Sequence, residues 1–156
     1  MKLISLNLWG GKQFRSLISF LNESSKTTDI FCFQEMIFGN EAGFSPENKA
    51  TLNLFSEISS ALPDFENLTY LAKPGSFFGG EKLLQGTGVG EAIFVKKPLT
   101  VISSGGMRLY EDNSYIAKDL GITICGNLQY AEVGIPSGER VLIGNVHGLW
   151  QKETDK

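Results

Sequence analysis

Asp29-Ile30-Phe31-Cys32-Phe33-Gln34-Glu35 is the stretch on which the fold turns. Ile30 to Phe33 is a short unbroken apolar run, the pattern of a strand covered on both faces, and it ends abruptly in an amide and a carboxylate. Upstream, Lys2 to Leu8 alternates and is rich in β-formers, so it reads as another buried strand, broken by Gly10-Gly11. Between the two, Phe14, Leu17, Ile18 and Leu21 recur at helical spacing from Gln13 onward, and the pattern fades in Ser24-Ser25-Lys26-Thr27-Thr28. Strand, helix and strand in that order form a βαβ-like unit and argue for an α/β architecture.

Further along, Ser45-Pro46 has the form of a helix start, Ser as N-cap and Pro at the first helical position. Leu52, Phe55, Ile58 and Leu62 follow as an apolar stripe, which Pro63 closes. The period then shifts towards two. Leu68 to Ala72, Ala92 to Val95, Leu99 to Ser103, Ile122 to Val133 and Val141 to Val146 read as strands. Lys73 to Gly90 and Gly105 to Lys118 read as long glycine-containing loops, candidates for the rim of a site. No repeat, low-complexity tract or linker divides the 156 residues, so one domain is expected.

The net charge of −3 and the absence of any Lys/Arg cluster beyond Lys96-Lys97 give no support to binding of polyanions by charge alone. Cys32 and Cys125 both sit in apolar runs and read as buried reduced thiols. The N-terminus is too short and polar for a signal peptide or a membrane span. The sequons at Asn22 and Asn67 therefore carry no weight, and a cytoplasmic location is expected. Glycine, with 18 residues, is well above its usual share of ~7% and points to many turns and close backbone approaches. In Gly86-Thr87-Gly88-Val89-Gly90 it lacks the spacing of a phosphate-binding loop, which leaves turn or packing roles.

Three positions carry candidate chemistry. Glu35 follows an apolar strand, where a carboxylate must pair, bind a cation or escape to solvent. A hard ion such as Mg²⁺ is held by one or two carboxylates, with water and phosphate completing its shell. Gln34 beside it points to the other side and can brace a neighbouring loop. Asn7 ends the first strand, where its amide can ligate a metal, contact a phosphoryl oxygen or satisfy turn backbone. His147, the sole histidine, ends the last strand with Asn145 on the same face. It can act on a phosphoryl group or be purely structural. Glu41, Glu81, Glu91, Glu111 and Asp112 fall in expected loops and are individually uninformative.

Taken together, Ser5-Leu6-Asn7-Leu8-Trp9, the apolar strand ending in Gln34-Glu35, Gly90-Glu91-Ala92-Ile93-Phe94-Val95 and Gly144-Asn145-Val146-His147 resemble the motifs of the endonuclease/exonuclease/phosphatase superfamily. The resemblance implies a DNase I-like four-layer α/β sandwich, two mostly antiparallel sheets face to face with helices outside. It implies that residues 1–156 are one such domain, truncated to roughly its first half with the C-terminal portion missing. It further implies Mg²⁺- or Mn²⁺-dependent phosphoester hydrolysis, with Glu35 and Asn7 at the metal and His147, supported by Asn145, at the phosphoryl group.

The family's later Asp-x-Asn motif and closing Asp-His pair have no counterpart in the chain, so little turnover is expected of it alone. An unpaired apolar inner face is expected too, to be covered by a missing segment or by self-association. Leu8-Trp9-Gly10-Gly11 after Asn7 departs from the Asn-Gly-Ile/Leu-Arg sequence of abasic-site endonucleases. The substrate stays open among small, lipid-derived and nucleic-acid phosphoesters. Two alternative readings are a non-catalytic DNase I-like remnant acting as a binding module and an unrelated α/β structural domain.

Overall fold

The computed structural model describes residues 1–40, 43–44, 49–74, 77–78, 81–82, 87–109, 116–117, 122–123 and 126–148. In chain order the strands are β1 (Leu3–Asn7), β2 (Ile30–Phe38), β3 (Phe65–Pro74), β4 (Phe77–Phe78), β5 (Glu81–Lys82), β6 (Gly88–Lys96), β7 (Thr100–Arg108), β8 (Ile116–Ala117), β9 (Ile122–Thr123), β10 (Asn127–Gly134) and β11 (Arg140–His147). Helix α1 (Phe14–Ser24) joins β1 to β2, and α2 (Leu54–Ala61) precedes β3.

β1 and β2 run parallel, Leu3 opposite Ile30 through Asn7 opposite Gln34, as a βαβ unit requires. The carboxylate of Asp29 takes the backbone N–H of Lys2 at 2.7 Å and ties the start of β2 to β1. Antiparallel β6 and β3 complete a four-stranded sheet in the order β1-β2-β6-β3. Both helices cover one face of this sheet. Leu17 and Leu21 of α1 and Leu54 and Ile58 of α2 pack with Phe31, Phe33 and Phe94 in one buried cluster. Removing each such side chain from water contributes roughly 1.5–3 kcal/mol.

The other face meets a second, antiparallel sheet in the order β11-β10-β7. Ile30, Cys32, Ile93 and Val95 interdigitate there with Ala131, Val133 and Ile143. Burial pushes the Cys32 thiol up to about 12, so it behaves as a small hydrophobe. The architecture is a mixed α/β sandwich with helices, sheet and sheet in successive layers. No helix among the described residues is long and apolar enough to cross a membrane.

Several sequence expectations shift here. The second strand does not stop at Phe33 but continues to Phe38 through a bulge, so Glu35 lies within it. Ser45 and Pro46 lie outside the described residues, but 49–53 are not helical and α2 begins only at Leu54. The long expected loops are partly strand: β3 reaches Pro74, β6 starts at Gly88 and β7 reaches Arg108. Ile122 to Val133 divides into β9 and β10. The inner face of the first sheet is not bare, since three strands of the second sheet cover most of it. Cys125 and Gly86 lie outside the described residues. Gly88 and Gly90 serve close packing: a Cβ on Gly90 would stand 2.1 Å from the backbone oxygen of Tyr70.

Candidate active site

Where β1 ends, the chain turns through three consecutive left-handed residues, Trp9, Gly10 and Gly11, with φ of 49°, 59° and 73°. Asn7 stabilises that turn, its Oδ1 accepting the Trp9 backbone N–H at 2.8 Å. The other end of the same amide donates from Nδ2 to Glu35 Oε1 at 3.0 Å. One side chain thus satisfies the turn and aims the carboxylate.

Glu35 is presented by the bulge. Phe33 pairs with Ala92 and Met36 with Gly90, so Gln34 and Glu35 together oppose the single residue Glu91. The extra residue is accommodated at Glu35 itself, whose φ is 55°. A left-handed non-glycine residue costs on the order of 1 kcal/mol or more and marks a position held by its surroundings. Bulges of this kind re-aim side chains. Here Gln34 turns into the space between the sheets and Glu35 turns towards β11.

His147 closes β11 opposite Asn127 of β10. Its Nε2 stands 3.6 Å from Glu35 Oε1 and its Nδ1 3.8 Å from Glu91 Oε1. Both separations exceed hydrogen-bond length, and either becomes an ion pair when the imidazole is protonated. Glu91, expected to be an uninformative loop carboxylate, is instead a β6 residue only 1% exposed. Asn127 Nδ2 donates to its Oε1 at 3.2 Å. Burial raises the Glu91 carboxyl to about 7, and the bonds from Asn127 and from its own backbone hold it lower than burial alone would. The sequence signal that could have found it is its position in Gly90-Glu91-Ala92-Ile93, a carboxylate at the head of an apolar run.

Asn145 sits deeper, 1% exposed, and both ends of its amide are engaged. Its Oδ1 accepts Gln34 Nε2 at 2.6 Å and its Nδ2 donates to the Phe33 carbonyl at 2.9 Å. Gln129 lies alongside and donates to the Leu68 carbonyl at 2.9 Å. This amide ladder bolts β11 to β2 directly beneath the bulge. Asn145 is thus bonded within the protein beneath the site, and Gln34 braces a strand of the second sheet rather than a loop.

The structure thus brings Asn7, Glu35 and His147 together at one end of the sandwich, adds Glu91 and Asn127, and places Asn145 beneath them. Among the described residues, Glu35 Oε2, Glu91 Oε2 and Asn127 Oδ1 are buried oxygens with no hydrogen-bond partner. Orphaned hard oxygen donors, two of them carboxylate, suit a divalent cation such as Mg²⁺. Among the described residues no three His, Cys, Asp or Glu side chains converge as ligands around one point. An ion there would be held by one or two carboxylates plus water and substrate.

No family model and no curated protein matches the sequence. Solved structures of the endonuclease/exonuclease/phosphatase family share the fold. A family protein from Leptotrichia buccalis matches with a TM-score of 0.63 at 12% identity, over 96% of this chain and 54% of that one. One from Beutenbergia cavernae matches with a TM-score of 0.57 at 12% identity, over 85% of this chain and 32% of that one. The Bacteroides thetaiotaomicron mannosyl-6-phosphatase matches with a TM-score of 0.56 at 17% identity, over 93% and 50%. The chain thus spans between a third and just over half of the length of these structures.

Proposed function

We propose that this chain carries the cation- and phosphoryl-holding side of a phosphoric ester hydrolase. The observation that carries the reading is the meeting of Glu35, Glu91 and His147 around unpartnered carboxylate oxygens at one end of a phosphoesterase-like fold. Glu35, aimed by Asn7, would hold Mg²⁺ or Mn²⁺, which supplies charge neutralisation on the phosphate. His147 lies between Glu35 and Glu91, placed to bind a phosphoryl oxygen or to pass a proton to a leaving oxygen. Glu91 faces Nδ1 across 3.8 Å while Nε2 is turned towards Glu35. Asn127 holds Glu91 in turn, and the Asn145–Gln34 bond keeps β11 and β2 in register with one another.

A small or lipid-derived phosphoester fits the acidic balance of the chain better than a long polyanion. Hydrolysis of bis-p-nitrophenyl phosphate and p-nitrophenyl phosphate with Mg²⁺ or Mn²⁺, by a protein in which this chain is joined to the remainder of such a fold, tests the enzymatic reading. Glu35→Gln and His147→Ala should each lower kcat by roughly 10²- to 10⁴-fold, and undiminished rates in either would remove the assignment. The second reading is a binding module that holds the same groups without hydrolysis. Phosphate and Mn²⁺ binding without turnover would decide for that second reading.

A further inference from the structure

The last residue of β7 shares a row with the site. Arg108 pairs with Asn127, and Asn127 pairs on its other side with His147. Residues directly opposite one another in an antiparallel sheet carry their side chains on one face. Asn127 bonds to Glu91, and His147 stands between Glu91 and Glu35, so that face is the one turned to the site. Tyr70, the register partner of Glu91 on β3, reaches the same neighbourhood from the first sheet. Its ring lies against Gly106, where a Cβ would clash with it. Gly106 is the position on that face just before Arg108, so β3 and β7 are packed together up to the row. The other arginine of the second sheet, Arg140, lies at the far end of β11 and forms an ion pair with Glu132 at 3.3 Å.

We propose that Arg108 is a specificity residue and that the substrate is a small molecule carrying a second phosphate group beside the scissile one. The inference rests on the reading above, in which His147 and the cation hold the scissile phosphoryl group. At that end of the row the imidazole and the cation are committed to this phosphate and to the carboxylates around it. A further phosphate on the substrate needs a cation of its own, and along this row Arg108 supplies it. Its planar guanidinium grips a phosphate through two parallel hydrogen bonds. Neighbouring strands lie about 4.8 Å apart, so β7 stands about 10 Å from β11. Two phosphates joined by a short carbon chain span most of that distance, and the long arginine side chain takes up the rest. A substrate with one phosphate gains nothing from Arg108.

Titration of the 156-residue chain with 1,3-propanediol bisphosphate and with n-propyl phosphate, Mg²⁺ present, tests this by nuclear magnetic resonance. The two probes differ only in the second phosphate. His147 signals should move with both, and the Arg108 Nε–H signal with the bisphosphate alone. The bisphosphate should bind at least about tenfold tighter than the monophosphate. Arg108→Gln, checked for folding by circular dichroism, should abolish that advantage and leave the affinity for n-propyl phosphate unchanged. Arg140→Gln should keep the advantage in full. If Arg108→Gln does not fold, the wild-type Arg108 signal decides, and a signal unmoved by the bisphosphate would overturn the proposal. Equal affinity of the two probes for the wild type, or an advantage that survives Arg108→Gln, would overturn it too, with the role of His147 left standing. His147 signals that move with neither probe would remove that role, and the proposal with it.

Discussion

Glu91 couples the site to stability. Its carboxyl titrates at about 7 in the folded chain against 4.5 when free, so the folded state holds the proton more tightly. That contribution is fully present below about 4.5 and is lost as pH rises through about 7. The difference corresponds to roughly 3 kcal/mol between the two limits. Urea unfolding at pH 5 and pH 8 should show the wild type losing stability across this window and Glu91→Gln losing much less. Parallel pH profiles would show that Glu91 is not titrating there. Asn7→Ala removes both the turn bond to Trp9 and the bond to Glu35. It should cost about 1–3 kcal/mol, read as a fall in urea midpoint. The sequence marked Asn7, Glu35 and His147 because each ends an apolar run. It passed over Glu91 because β6 begins among glycines that read as a loop.

At the level of elements, the bulge in β2 is the device that turns a strand into a site. An apolar run followed by Gln-Glu was legible as a strand end. The continuation to Phe38 was not, because a left-handed Glu35 is imposed by pairing with β6 and not by local preference. Opposite the bulge, Gly90 admits the backbone of Tyr70, and a Cβ there would meet its carbonyl oxygen at 2.1 Å. Gly90→Ala should therefore cost about 3 kcal/mol or more, seen as loss of soluble folded protein or a large drop in the urea midpoint. Beneath the bulge, Asn145→Ala removes the bonds to the Gln34 amide and the Phe33 carbonyl in a buried space and leaves Gln34 only Ser5 and its own strand. A loss of about 2–4 kcal/mol is expected. A smaller loss would mean that water replaces the amide. The helix expected from Ser45-Pro46 starts at Leu54 instead. Its apolar stripe was readable, but its start was not, since Thr51 and Leu52 are drawn into backbone bonds with Gly10 and Gly43.

For the whole molecule, the βαβ opening and the later shift to period two pointed to an α/β architecture, and the family resemblance supplied the two-sheet sandwich. How the sheets stack was not readable, because register across a sandwich depends on contacts far apart in sequence, such as Ile30 and Cys32 with Ala131 and Ile143. That stacking is what carries His147 from one sheet to Glu35 on the other, and the cation-holding role of this junction is the central claim. Mn²⁺ titration followed by electron paramagnetic resonance, on wild type and Glu35→Gln verified as folded by circular dichroism, tests it most directly. One Mn²⁺ per chain is expected for the wild type, with affinity reduced by at least about tenfold in Glu35→Gln. Equal affinity in the two proteins, or no binding by either, would contradict it.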